Sequence, residues 1–325
     1  MRPGKSILLA AALAIGVAGG RASATNRSPV GLEPPATRID QAVEGSATPI
    51  TWPKVQALPT PAPGIRVEYG PLPDQFGELR LPTTTGPHPV VVLIHGGCWL
   101  QEFDYAYFRH LAAAVTDLGI VTWTIEYRRV GGAGGWPMTL LDVAAAIDYL
   151  RELAETYPLN LQAVVVAGHS AGGHLALWSA TRRRLTAESD LYRPSPLPIR
   201  GVIGLAAIDD LATYRVGPSQ SCHGAVDPLM GGPPETHPDR YADASPRQRL
   251  PLGVPVVLVS GTEDTVVPTS GVQAFAHEAI AAGDRARLEI IDGAGHFDPS
   301  VPVSSAWPAV REALLRLVGA TGVAE

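Results

Sequence analysis

The sequence predicts an α/β fold with a mostly parallel central sheet and helices packed on both faces. Three observations predict it. Apolar, β-branched runs without polar alternation recur, as in Val90 to His95 and Val164 to Ala167, and such runs belong to strands buried on both faces. Stretches with apolar residues at helical spacing separate them. A length of 325 residues, 46% hydrophobic and 17% charged, suits a large packed core and excludes a disordered chain.

The chain opens with Arg2 and Lys5, an apolar segment from Ile7 to Ala18, and Ala22-Ser23-Ala24. That is the pattern of an export signal cleaved near Ala24. The apolar segment is short of the roughly 20 residues that span a bilayer. Residues 1–24 therefore read as a signal peptide, with a retained membrane anchor as the alternative, and the mature protein as periplasmic or extracellular with no stable membrane span. Residues 25–64 carry prolines from Pro29 to Pro63 and no periodicity, which reads as a flexible arm. The folded domain is expected over residues 65–320.

Within it, Ile65 to Tyr69 and Gly77 to Leu81 read as opening antiparallel strands. Val90 to His95 and Ile120 to Glu126 are buried strands, with a helix over Phe108 to Leu118 between them. Leu140 to Tyr157 is helical, with apolar positions at helical spacing (Leu141, Ala144, Ala145, Ile147, Leu150, Leu153, Ala154). Val164 to Ala167, Val202 to Ala206, Val256 to Ser260 and Leu288 to Ile291 supply four more strands. Helices are expected over Gly172 to Arg183, Ser270 to Ala282 and Trp307 to Val318. The Gly- and Pro-rich stretch from Gly217 to Pro251, within a segment near 209–250, reads as a lid or pocket wall. In a parallel sheet, ligands bind beyond the carboxyl ends of the strands.

The chemistry is expected there. Gly168-His169-Ser170-Ala171-Gly172 follows a β-branched strand and opens a helix, which is the context of a serine held on a tight strand-to-helix turn. Gly168, Gly172 and Gly173 lack the Cβ atoms that would block such a turn. Serine needs a base to take its proton and a third group to orient that base. Asp264 follows the strand ending at Ser260, and His296 follows the strand ending at Ile291 on a Gly-Ala-Gly loop. Both fall where the sheet top would deliver them, with Asp264 preferred over Glu263 and Asp292, which lie closer to their strands. His95-Gly96-Gly97-Cys98-Trp99 ends another buried strand, and its glycines let backbone N–H groups approach a developing oxyanion together with the amide of Ala171. His95 reads as a brace for this loop and not as a base. Trp99, His169 and Asp210 are candidate pocket residues, Trp99 alternatively packing the loop and Asp210 alternatively capping a helix.

These motifs together resemble the esterase/lipase branch of the α/β-hydrolase superfamily, over roughly residues 65–320. The HGGxW form seen here is similar to kynurenine-formamidase-like hydrolases and feruloyl/acetyl-xylan esterases. The resemblance implies Gly97 and Cys98 as oxyanion donors. The HGGG esterases have a third glycine where this chain has Cys98. It also implies a serine carboxylesterase that forms an acyl-enzyme on Ser170 with small or carbohydrate-linked acyl esters. Three alternatives stand beside it. An arylformamidase or amidase of the kynurenine-formamidase type fits the motifs, but its substrate is a cytoplasmic metabolite. A prolyl-oligopeptidase-like peptidase shares Gly168 to Gly173, but the chain ahead of the domain is too short for a propeller. A non-catalytic binding protein of the same fold is the third, although such proteins lack a member of the triad and none is missing here.

Partners follow from composition. The chain carries 25 basic and 31 acidic side chains, and residues 1–24 hold only basic ones, so the mature surface is acidic. That excludes nucleic acid and anionic membrane as main partners and leaves a small-molecule or carbohydrate ester. Oligomeric state is not legible. His223, His237 and His277 stand at no metal-ligand spacing, and no phosphate-binding glycine motif appears, so neither metal nor cofactor is expected. Cys98 and Cys222 are the only cysteines. In an exported chain they point to one bridge tying the oxyanion loop to the lid segment, with two buried thiols as the alternative.

Overall fold

The computed structural model describes residues 39–43, 48–217 and 222–319. The signal peptide expected over residues 1–24 lies outside them. In chain order the elements are β1 (Ile39–Val43), α1 (Trp52–Ala57), β2 (Ile65–Glu68), β3 (Phe76–Arg80), β4 (His88–Ile94), α2 (Arg109–Thr116), β5 (Val121–Ile125), α3 (Met138–Asp148), α4 (Leu150–Thr156), β6 (Leu159–His169) and α5 (Ala171–Thr181). They continue with β7 (Gly201–Leu205), α6 (Leu211–Tyr214), α7 (Val226–Met230), α8 (Pro238–Ala244), β8 (Val256–Gly261), α9 (Thr269–Ala281), β9 (Ala286–Ile291) and α10 (Trp307–Val318).

The strands form one sheet in the order β1-β9-β8-β7-β6-β4-β5-β3-β2. β3 runs antiparallel to both β2 and β5, and the remaining pairs are parallel. This is the α/β-hydrolase fold that the motifs imply. Strand side chains alternate between two cores, as a period of two requires. Val90, Val92, Ile94, Val164 and Val166 face a core completed by Leu140 and Val143 of α3, Leu175 of α5 and Phe275 of α9. Val91, Leu93, Val165 and Ala167 face the opposite core, closed by Leu111 and Val115 of α2 and Val310 and Leu314 of α10. Both faces are covered, so the central strands show no polar alternation. Each fully buried side chain of this kind contributes about 1.5–3 kcal/mol.

Two local differences bear on the site. The stretch expected to be a flexible arm contains β1, which pairs in parallel with β9, and α1, where Pro53 occupies a first-turn position and Val55 is buried. A proline in the first helical turn costs no hydrogen bond, because that N–H has no partner in any helix. The segment near 209–250 is largely helical, and Val226, Leu229, Met230, Tyr241 and Ala244 are buried in the main core. Apart from residues 218–221, which lie outside the described residues, it is a packed wall.

Candidate active site

Parallel strands deliver their carboxyl ends to one side of the sheet. The segments after β4, β6, β8 and β9 carry His95–Trp99, Ser170, Asp264 and His296. β6 sits beside β4 near the middle of the sheet. Ser170 follows it directly with φ 57° and ψ −120°, a conformation L-residues rarely adopt. Its amide donates to the Leu205 carbonyl (2.8 Å), and its carbonyl accepts from the amide of His174 (3.0 Å) in the first turn of α5. The turn is tight enough that a methyl group at Gly168 would lie 2.0 Å from the Gly172 carbonyl oxygen. One at Gly172 would lie 2.1 Å from that of Ile94.

The structure brings Ser170, His296 and Asp264 together. His296 Nε2 lies 3.0 Å from Ser170 Oγ, and His296 Nδ1 lies 2.9 Å from Asp264 Oδ2. The other carboxylate oxygen of Asp264 accepts from the amides of Val266 and Val267, both at 2.8 Å. The carboxylate is thus held by the turn after β8 while one oxygen stays free for the imidazole. Glu263, its sequence neighbour, points to solvent.

The loop after β4 lies directly over the serine. A methyl group at Gly96 would stand 3.0 Å from Ser170 Cβ. Gly97, Cys98 and Trp99 all have positive φ, at 104°, 54° and 57°, which turns successive backbone N–H groups into a concave array. Among the described residues, the amides of Gly97, Cys98 and Ala171 have no hydrogen-bond partner, whereas that of Gly96 donates to the Tyr107 hydroxyl (2.6 Å). His95 braces the loop: Nδ1 lies 2.7 Å from the Gly96 carbonyl oxygen and Nε2 2.9 Å from Glu126 Oε1. Arg129 also pairs with Glu126. Burial alone raises the Glu126 pKa, but His95 and Arg129 outweigh it and bring the carboxyl down to about 2.

The three candidate pocket residues have partners of their own. Trp99 is fully buried, edge-on to His174 at 5.5 Å, and packs the loop against the core. His169 is also buried; Tyr107 OH lies 3.0 Å from its Nδ1 and the His296 carbonyl oxygen 2.8 Å from its Nε2. Asp210 caps α6, accepting from the amides of Ala212 and Thr213. Trp99 and His169 are drawn inward, where an apolar core and polar partners receive them, and Asp210 stays half-buried on its helix end. Cys98 and Cys222 are bonded to each other, with Cα atoms 4.9 Å apart. The bond links the oxyanion loop to the segment between α6 and α7.

Sequence reasoning misses four residues. Glu126 carries a signal that was available, a lone carboxylate at the end of a buried apolar strand. Phe297 stands in the stretch 293–297 with no role read for it, and Tyr107 and Trp52 carry no signal. Trp52, from α1, packs within 5.9 Å of Phe103, 5.6 Å of Tyr107 and 5.5 Å of Phe297, measured between ring centroids. Among the described residues no cluster of His, Cys, Asp and Glu has the geometry of a metal site. No described helix is long and apolar enough to cross a membrane.

Comparison with known proteins places the chain in a family. The BD-FAE family model matches residues 78–278. The chain belongs to the BD-FAE family. The matched stretch contains Gly97, Ser170 and Asp264 and ends before His296, which is tied to them by its hydrogen bonds. The chain is 32% identical to esterase LipC of Mycobacterium tuberculosis over 248 residues, covering 72% of this chain and 59% of that protein. It is 25% identical to a probable isoprenylcysteine alpha-carbonyl methylesterase of Oryza sativa subsp. japonica, covering 71% of this chain and 57% of that one. The chain thus spans less than two thirds of the length of these relatives. Among solved structures, a truncated carbohydrate esterase from gut microbiota superposes with a TM-score of 0.69 at 21% identity, covering 80% of this chain and 97% of that one. That likeness is one of fold.

Proposed function

We propose that the chain hydrolyses carboxylic esters of small or carbohydrate-linked acyl groups through an acyl-enzyme on Ser170. The observation that carries this reading is the unbroken hydrogen-bonded series from Ser170 Oγ through His296 to Asp264, at 3.0 and 2.9 Å. In the first half-reaction Ser170 Oγ attacks the ester carbonyl carbon while His296 Nε2 takes its proton. The amides of Gly97, Cys98 and Ala171 hold the oxyanion. Collapse of the tetrahedral intermediate expels the alcohol, which leaves with the proton from His296. Water repeats the sequence on the acyl-enzyme, releasing the acid and restoring Ser170. Asp264 keeps Nδ1 protonated and Nε2 facing the serine. Names of the curated relatives, esterase and methylesterase, support the reaction class.

Export belongs to the same proposal. It is supported by the charged, apolar and A-x-A pattern of residues 1–24 and by a Cys98–Cys222 bond, which suits an oxidising compartment.

The test pairs fluorophosphonate labelling with hydrolysis of p-nitrophenyl acetate, acetylated xylan and an arylformamide. Wild-type protein should label and cleave esters in preference to the formamide. Ser170→Ala should fold normally and do neither. Turnover above a few per cent of wild type in that variant would remove Ser170 as nucleophile, and a clear preference for the formamide would make the protein an amidase.

A further inference from the structure

The N-terminal segment reaches the reacting groups from outside the stretch that the family model covers. Two contacts anchor it. Asp298 Oδ2, on a buried side chain, accepts from the amide of Ile50 (2.8 Å) and from that of Gly295 (2.9 Å). One carboxylate oxygen therefore ties residue 50 to the loop that presents His296. Pro49 also lies against Gly295, where an added methyl group would meet its Cβ at 2.9 Å.

So anchored, α1 sets Trp52 across two sides of the site. On one side is Phe297, whose ring is 5.5 Å from Trp52 and 5.2 Å from His296. On the other is Phe103, 5.9 Å from Trp52 and packed on the oxyanion loop so closely that a methyl group at Gly97 would lie 2.3 Å from Phe103 Cβ. Trp52, Phe103 and Phe297 all remain partly exposed. They form a continuous aromatic wall running from the base to the oxyanion loop.

We propose that Trp52 is a specificity-determining residue that receives the leaving-alcohol side of the ester, favouring alcohols that carry a ring with a flat apolar face. The assignment rests on the ester-hydrolase reading above. His296 must hand its proton to the leaving oxygen, so the alcohol departs past the base, and the nearest aromatic surface on that path is Phe297 with Trp52 behind it. Aryl alcohols and pyranosides both present such a face. Stacking on an indole is worth up to about a tenfold change in kcat/KM.

The experiment holds the acyl group constant, so that all substrates share one acetyl-enzyme and kcat/KM reports only acylation. Methyl acetate, phenyl acetate and a monoacetylated methyl pyranoside are compared in wild type, Trp52→Leu and Trp52→Phe. Trp52→Leu keeps apolar bulk under α1, and its fluorophosphonate labelling rate checks that the reacting groups are intact. The expected result is a loss of about tenfold for at least one ring-bearing acetate, mostly in KM, against less than threefold for methyl acetate. Trp52→Phe should recover most of it. The ring ester affected tells aryl from sugar specificity. An equal loss on all three acetates makes Trp52 a structural strap and overturns the proposal, as does a loss that follows acyl length in p-nitrophenyl acetate, butyrate and hexanoate. A wild-type protein inert toward every ester overturns the ester-hydrolase reading and this proposal with it, whereas an active wild type with unmoved ratios overturns only the role of Trp52.

Discussion

His169 donates from Nε2 to the main-chain carbonyl of His296, at 2.8 Å, so the residue preceding Ser170 holds the backbone of the histidine that faces it. Burial, followed by repulsion from His296, pushes the His169 pKa well below the usual histidine range. The ring is neutral, with its single proton on Nε2. Nδ1 then accepts from the Tyr107 hydroxyl (3.0 Å), whose oxygen in turn accepts from the Gly96 amide (2.6 Å). One chain of hydrogen bonds thus runs from the oxyanion loop to the base, with the rings of His169 and His296 4.7 Å apart.

Replacing His169 with Phe keeps a ring of similar size and removes both hydrogen bonds. We expect kcat to fall roughly 10–100-fold, the scale of small misplacements of reacting groups. KM should change little. Steady-state kinetics beside thermal unfolding separate this from misfolding, and a variant that is stable with wild-type kcat would show that the chain of hydrogen bonds does not position His296.

Asp264 has both oxygens engaged, and Glu263 faces water. Asp264→Asn should lower kcat by about 10³–10⁴ by favouring the wrong histidine tautomer. Glu263→Gln should change it less than twofold. The reverse order in the same ester assay would reassign the acid.

The Cys98–Cys222 bond joins residues 124 apart in sequence. Cys98 is one of the free amides beside Ser170 and holds φ 54° without being glycine. Cys222→Ser should therefore act twice. It should cost about 2–4 kcal/mol of stability, and it should lower kcat about tenfold or more as the oxyanion loop relaxes. Calorimetry and kinetics measure the two effects. Thiol titration of the unreduced, unfolded wild type should find no free thiol, and finding two would refute the bond.

Burial pushes His174 down to about 4, only partly offset by its hydrogen bond to the Ala244 carbonyl. The unfolded chain takes up a proton at this side chain near pH 6.5, but the folded chain does not until about pH 4. Folding stability is then full above pH 6.5 and is lost as pH falls from 6.5 towards 4. Glu126, held at about 2 by its partners, adds to the acid loss only below its unfolded value near 4.5. Tm should fall on acidification from pH 6.5, and His174→Gln should fall less steeply over that window. Parallel curves for the two proteins would mean that His174 does not titrate on unfolding.

Much of the site was legible in the residues because its causes are local or follow from strand order. Three glycines beside a serine permit a turn that few other sequences tolerate. Asp264 and His296 each stand just past an apolar run, and parallel strands bring their carboxyl ends to one side whatever the loops do. A buried strand read from Val90 to His95 likewise delivers the oxyanion loop beside β6 once the two strands are neighbours. The boundary of the domain was less legible, since proline-rich residues 48–58 lack periodicity and form α1 only by packing on the rest of the chain.

What the sequence by itself determined is therefore the fold, the serine turn and the placing of Ser170, Asp264 and His296 at strand ends on one side of the sheet, because short-range sterics and hydrophobic pattern decide them. Only the tertiary structure decided that Trp99 and His169 turn inward, that Asp210 caps a helix, that Cys222 reaches Cys98, and that Trp52 arrives beside Phe297. Each of these depends on which distant surface is nearest in space. That distance is set by the whole sheet and its helices, and no local pattern of residues encodes it.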